Sequence, residues 1–332
     1  MRSILSGPVV GNELLSPKTA NGLMPRQVRN RTRSLVPGSR YTARSGAFVL
    51  ECGFQPCQDL YWLQHADSVD ISVPLVIVFA FGALFVVASR APYYPLKYPG
   101  GFWELQSELG AKDVWLRASD RVRLHAWWIL ASQSALVTLY LHGDAGNVTH
   151  RSLQIREITA AGSSVLMLDY RGYGKSAGSP SEHGLYADAD RAYQHLLDYG
   201  YSPHQIVLEG ESLGTAVAVD LASRRECGGV VLEGAFTSGS DMANTVLPLI
   251  GPLVFRGFNA KRKIARIRAP LLFFHGDRDE IVPFKLGRTL FEAAPEPKFF
   301  VEVPGAGHND LVEKAGSSYR QRLQDFYRRL QS

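Results

Sequence analysis

Residues 210–214 read Gly-Glu-Ser-Leu-Gly. A serine hydroxyl is a poor nucleophile until a general base takes its proton, and that base needs a carboxylate to orient it. Gly-x-Ser-x-Gly between a strand and a helix is the sequence form of a sharp turn that projects such a hydroxyl, and it leaves the next N–H, here that of Leu213, at a helix start facing an incoming anion. The same five residues also suit a plain helix cap. Ser212 therefore acquires chemical meaning only from partners elsewhere in the chain.

Two later segments supply candidates. The apolar run PLLFF leads into His275-Gly276-Asp277-Arg278-Asp279-Glu280, and KFFVEVP leads into Gly305-Ala306-Gly307-His308-Asn309-Asp310. Each places a titratable residue just beyond a predicted strand, in the chain order Ser, Asp, His. His308 is the expected base. Asp279 is the preferred acid because four residues of loop let it reach back, and Asp277 is the alternative, since a small change of loop register exchanges the two. An oxyanion site is expected where ALVTLYL ends in His142-Gly143-Asp144-Ala145-Gly146-Asn147. Its glycines keep the loop tight enough for the Asp144 N–H to point where the Leu213 N–H points, and two such donors are typically worth several kcal/mol of barrier. His142 and His275 read as loop-packing residues, and His65, His125, His150, His183 and His204 as surface or packing residues. Asp169 and Arg171 in the DYRG turn read as a local pair.

These residues need a scaffold that brings strand ends together. Apolar runs at 113–117, 122–130, 135–141, 164–169, 205–209, 228–233, 270–274 and 298–303 predict strands. Helical patterns fall at 149–161, 184–199, 213–224, 284–294 and 315–330. Two early strands followed by strand–helix repeats predict an α/β fold whose mostly parallel eight-stranded sheet is covered on both faces. The chemistry of such sheets sits in loops at the carboxyl ends of the strands. Residues 235–266, apolar and proline-broken and then basic, break the alternation. They predict a small cap over that edge, able to wall an apolar pocket or touch a membrane, although an ordinary packing helix fits as well.

Composition excludes several function classes. Residues 1–66 carry eight Lys/Arg against three acids, which leaves 28 of each sign from the chain's 36 and 31 in residues 67–332. A neutral body argues against nucleic acid as a partner. Three cysteines cannot form a disulfide framework, no His/Cys cluster has zinc spacing, and no phosphate-binding glycine loop occurs, so neither metal nor nucleotide cofactor is expected. Ile71–Ser89 is nineteen residues without a charge, about 28 Å as a helix, and predicts a transmembrane helix or signal anchor. A buried core helix and a signal peptide cleaved near Val86-Val87-Ala88 are the alternatives. Arg90 and Lys97 put the carboxyl-terminal side in the cytoplasm while the arginines of 26–44 put it outside, so the side is open. Residues 1–66 have a disordered composition, and also fit a misassigned start upstream of the true one.

LHGDAGN, LDYRGYGKSAGSPSEHGLYADA, GESLGTAVA, HGDRDEIVP and GAGHND together resemble the α/β-hydrolase superfamily, and within it the membrane-anchored, bud-emergence-type serine hydrolases of the α/β-hydrolase domain-containing protein 13 group. The resemblance runs from Tyr93 to Leu330. It implies an α/β-hydrolase fold with Ser212 as nucleophile, His308 as base, Asp279 as acid, and Asp144 and Leu213 as backbone oxyanion donors. A carboxylate at Asp144, where relatives often carry an uncharged residue, departs from the pattern, and Glu211 is expected only to modulate the local potential. The expected reaction is hydrolysis of carboxylic esters or thioesters through an acyl-enzyme, on small or lipid-like acyl substrates or an acylated protein. A binding protein that kept the fold and a serine peptidase are the alternatives. An Asp-dependent dehalogenase is disfavoured by serine at the nucleophile position.

Overall fold

The computed structural model describes Val76 and residues 92–132 and 134–331. The basic region 1–66 and, apart from Val76, the apolar segment 71–89 lie outside the described residues. Among the described residues no helix is long and apolar enough to cross a membrane.

Eight strands form one sheet: β1 (Lys112–Arg117), β2 (Arg123–Ile129), β3 (Leu136–Leu141), β4 (Ser163–Asp169), β5 (Ile206–Glu211), β6 (Gly229–Glu233), β7 (Leu271–Gly276) and β8 (Lys298–Val303). Their spatial order is β8-β7-β6-β5-β3-β4-β2-β1. β1 pairs antiparallel with β2, and β2 antiparallel with β4, while all other neighbours are parallel. The central strands read as unbroken apolar runs because both faces are covered. Leu139 and Leu141 face one core and Tyr140 the other, as the two-residue period of a strand requires.

The first core is closed by α2 (Glu182–Tyr199), α3 (Leu213–Ala222) and α7 (Phe284–Ala293) through residues such as Leu185, Leu196, Val217 and Leu290. The second is closed by α1 (Ser152–Ala161), α8 (Leu311–Ala315) and α9 (Ser317–Gln331) through Ile155, Ile158, Leu311, Leu323 and Phe326. α2 starts where the Ser181 hydroxyl accepts the Gly184 N–H and stops at Gly200, whose φ of 112° suits glycine. Between β6 and β7 the chain forms three short helices, α4 (Gly239–Val246), α5 (Gly251–Val254) and α6 (Lys261–Ile264). A further two-residue parallel pairing ties Tyr94–Pro95 to Ala145–Gly146. It brings the start of the described chain against the loop that follows β3.

Candidate active site

Ser212 stands between the end of β5 and the start of α3 with φ 52° and ψ −118°, a conformation that non-glycine residues rarely adopt. Its N–H donates to the Glu233 carbonyl at 2.8 Å, which pins the turn to the neighbouring strand. The flanking glycines are obligatory here. A Cβ on Gly210 would stand 2.4 Å from the Gly214 carbonyl oxygen, and one on Gly214 would stand 1.8 Å from the Leu141 carbonyl oxygen. Strand, turn and helix are thus pressed together until only glycine fits, and the serine side chain is left facing outward.

The loops after β7 and β8 meet this side chain. His308 Nε2 lies 2.9 Å from Ser212 Oγ, and His308 Nδ1 lies 2.7 Å from Asp279 Oδ2. A carboxylate oxygen accepts, so Nδ1 carries the hydrogen and Nε2 presents its lone pair to the serine hydroxyl. The other Asp279 oxygen accepts the N–H groups of Ile281 and Val282 at 3.0 and 2.7 Å. Asp277 does not reach the imidazole. Its Oδ1 accepts the Gly305 N–H at 2.6 Å and so ties the two loops together. Burial alone would lower the His308 pKa, but the hydrogen bond and charge of Asp279, with Glu211 and Asp144 farther off, raise it above the ordinary imidazole value. Gly234 lines the far side of the ring, since a Cβ there would meet His308 Cε1 at 3.1 Å.

Asp144 and Leu213 border the same pocket as Ser212. Leu213 opens α3, so its N–H has no partner within the helix. The loop carrying Asp144 is fixed from several directions. The Asp144 carbonyl accepts from the Tyr94 N–H at 2.9 Å and the Tyr173 hydroxyl at 2.7 Å. His142 Nδ1 donates to the Gly143 carbonyl at 2.7 Å, and that carbonyl shares a planar peptide unit with the Asp144 N–H. Burial drives the His142 pKa down to about 4, so its ring is neutral. Beyond the packing role that its sequence position suggests, His142 therefore holds the peptide plane that aims this donor. Burial raises the Asp144 carboxyl above the ordinary range, which lowers its tendency to carry charge beside a developing oxyanion.

Known proteins give this arrangement a context. The sequence family described as "Serine aminopeptidase, S33" matches residues 132–256, a span that holds Asp144, Ser212 and Leu213 and ends before Asp279. Protein bem46 of Schizosaccharomyces pombe is 33% identical over 283 residues, covering 80% of this chain and 92% of that protein. Alpha/beta hydrolase domain-containing protein 17C of Homo sapiens is 37% identical over 225 residues, covering 67% of each. The chain belongs to the α/β-hydrolase family. An esterase of Pyrococcus furiosus shares the fold at a TM-score of 0.61 and 22% identity, over 71% of this chain and 97% of that one. An esterase domain from Rhodothermus marinus does so at 0.52 and 27%, over 66% and 98%. Family and fold support hydrolase activity.

In this α/β-hydrolase the turn at Ser212 faces a pocket of about 470 Å³. Met242, Val246, Leu247 and Phe255, from the stretch between β6 and β7, wall it together with Phe236 and Phe258. A larger groove of about 800 Å³ lies at the opposite, amino-terminal edge of the sheet between Cys227 and Pro270, and neither Ser212 nor His308 lines it. Among the described residues no group of His, Cys, Asp and Glu is placed to hold a metal ion.

Two features of the hydrolase core escape sequence reading. Glu209 and Glu233 are both buried beneath the turn and approach one hydroxyl, that of Tyr319, at 2.9 and 2.6 Å. Burial raises both pKa values, Glu209 to about 7 and Glu233 well above the ordinary carboxyl range, and two adjacent carboxyls cannot readily ionise together. Glu211 faces the other way and pairs with Arg151 at 2.5 Å; burial would raise its pKa, but the guanidinium brings it below the ordinary value. The expected Asp169–Arg171 pair does not form. Asp169 instead joins His125 Nδ1 at 2.9 Å and accepts the Val148 N–H at 3.0 Å. Arg171 turns to Asp188 at 2.7 Å and Asp120 at 2.6 Å. Asp169 is fully buried against His125 and the Val148 N–H, while the Arg171 guanidinium has two carboxylates, Asp120 and Asp188, within reach.

Proposed function

We propose that the protein is a membrane-tethered serine hydrolase that cleaves carboxylic esters or thioesters through an acyl-enzyme. The observation that carries the reading is the hydrogen-bonded series Ser212–His308–Asp279, ending in a serine held at positive φ beside an apolar pocket. His308 Nε2 takes the Ser212 proton as Oγ bonds to the acyl carbon. Asp279 holds the imidazolium that forms. The Leu213 and Asp144 N–H groups receive the oxyanion. The imidazolium then returns its proton to the departing alkoxide or thiolate as the carbon–leaving-group bond breaks. Water, deprotonated by the same imidazole, releases the acid and restores Ser212. The substrate is an acyl ester with an apolar chain, small-molecule, lipid-like or protein-borne, and the tether is Ile71–Ser89.

A fluorophosphonate probe tests the nucleophile directly. The wild type is expected to label covalently and Ser212→Ala not at all, with ester turnover in the variant falling at least a thousandfold. Equal labelling of the two proteins would exclude Ser212 as nucleophile. Absence of both labelling and turnover in the wild type would favour a binding protein. A peptidase is distinguished by aminoacyl arylamides turning over faster than the matching esters.

A further inference from the structure

The pocket beside Ser212 opens through a rim whose outer surface is not that of a water-facing loop. At the tip of the α4–α5 hairpin, Leu249 is 87% exposed and Leu253 68%, with Val246, Leu247 and Ile250 exposed between and beside them. From Met242 to Gly276 the chain contains no acidic residue, and the exposed Arg256 follows the hairpin directly. Across the rim stand Tyr94 and Ile281, both exposed and both lining the same pocket. Single exposed aliphatics are ordinary on soluble proteins; a run of five on one short hairpin is not.

What covers this surface is indicated by the chain that precedes it. Pro92 is itself a pocket-lining residue, and it follows Ser89, the last residue of the uncharged segment Ile71–Ser89, by three positions. Three residues of extended chain span at most about 11 Å. The polar layer on either side of a bilayer's hydrocarbon core is roughly 5–8 Å thick. If Ile71–Ser89 is the tether proposed above, Pro92 on the pocket rim stands within the headgroup layer or a few ångströms beyond it. The exposed residues next to it, Tyr94 and Tyr98 with Lys97, are of the types that settle at a membrane–water interface.

We infer that the α4–α5 hairpin docks into the lipid bilayer, its Val246–Leu253 tip entering the leaflet from which Ile71–Ser89 emerges, so that the pocket beside Ser212 opens directly onto lipid. Acyl chains then pass from the leaflet into the pocket without crossing water. The orientation rests on the tether, but the docking itself does not depend on the protein being a hydrolase.

The test uses the full chain reconstituted in phosphatidylcholine vesicles, with Cys52 and Cys57 changed to Ser and a polarity-sensitive nitrobenzoxadiazole dye on an introduced cysteine. Leu249→Cys and Leu253→Cys are expected to give blue-shifted emission, quenched at least twofold by doxyl-labelled phosphatidylcholine. Leu130→Cys, exposed just beyond the end of β2 at the opposite sheet edge, is expected to give water-like emission without quenching. Emission at 249 and 253 matching that at 130 overturns the inference. So does disulfide cross-linking of Leu249→Cys copies with water-like emission, which gives the hairpin to a second copy. A second arm uses Leu249→Glu with Leu253→Glu, neither of which lines the pocket. Hydrolysis of a long-chain ester held in the vesicle is expected to fall tenfold or more, with a soluble short-chain ester unaffected. Equal losses on both substrates would count against docking. The quenching arm needs no turnover, so its outcome stands whether or not the chain proves to be an esterase.

Discussion

At the scale of single residues, the arrangement around Ser212 separates what would activate the proposed nucleophile from what aims it. The hydroxyl is held outward by a backbone conformation of φ 52° that the two glycines permit. Its proton acceptor is set by Asp279, whose 2.7 Å contact fixes the His308 tautomer and holds its pKa above the ordinary value of roughly 6.5. Only neutral His308 can accept a proton, so kcat/KM should rise with pH through a midpoint above that value. Asp279→Asn removes the charge that raises it, and the acid limb should move to lower pH. The same change loses the tautomer, and kcat should fall by about 10⁴ at neutral pH, as in other enzymes of this chemistry. Profiles of kcat/KM against pH on a soluble ester measure both effects. An unmoved acid limb would mean that another group sets it. Asp277→Asn should leave the limb where it is, because Asp277 binds the Gly305 N–H rather than the imidazole.

At the scale of elements, the parallel sheet explains how residues 96 positions apart come to touch. β5, β7 and β8 all run the same way, so the loops after them share an edge. This much was legible in the sequence, because each strand is a short apolar run and each candidate stands just beyond one. Loop length favoured Asp279 over Asp277 without separating them, because one residue of loop register exchanges the two and only the contacts of the folded loop distinguish them. The buried pair Glu209 and Glu233 was not legible, because its meaning comes from Tyr319 on α9, which lies 110 and 86 residues away. In sequence, a glutamate inside an apolar strand looks the same whether it meets water or another acid. Its consequence is for stability. A folded pKa of about 7 for Glu209 and a raised one for Glu233 lie above the unfolded value of about 4.5, so the native state holds protons that the unfolded chain releases. That contribution is whole below about pH 4.5 and is lost as pH climbs through 7. Glu233→Gln keeps a hydrogen-bond donor and removes the titration. Its Tm should match wild type near pH 5 and exceed it by several degrees at pH 8, at roughly 2–4 °C per kcal/mol for a domain of this size. Ester turnover should stay within a few-fold, since the Glu233 backbone carbonyl that anchors Ser212 is unchanged. The hairpin between β6 and β7 supports a further expectation. Each methylene buried in its apolar pocket is worth about 0.8 kcal/mol, or roughly fourfold in kcat/KM. A p-nitrophenyl ester series should therefore climb with chain length until the pocket of about 470 Å³ is filled. A strict preference for acetyl would show that the pocket does not hold the acyl chain.

At the scale of the whole molecule, charge and hydropathy are distributed unevenly along the chain. All the net charge of +5 is accounted for by residues 1–66, and the uncharged, apolar run Ile71–Ser89 separates that region from the neutral hydrolase body. The proposed chemistry needs neither segment, since every proposed catalytic group lies between Asp144 and His308. Their use is in placement, and that can be tested apart from catalysis. With Ile71–Ser89 as the tether, the full chain should remain in the membrane pellet through alkaline carbonate extraction and yield only to detergent. An arginine at the centre of a spanning helix costs roughly 2.5–3.5 kcal/mol on the insertion scale. Val78→Arg with Phe81→Arg, near the middle of the run, should therefore disfavour spanning by about 5–7 kcal/mol. The double variant should move to the carbonate supernatant. Its turnover of a soluble short-chain ester should be unchanged, because no proposed catalytic residue has been touched, while its turnover of a long-chain ester held in vesicles should drop. Pelleting of the double variant to the same extent as wild type would show that residues other than Ile71–Ser89 hold the protein to the membrane, and the α4–α5 hairpin, with its exposed Leu249 and Leu253, would then be the first place to look.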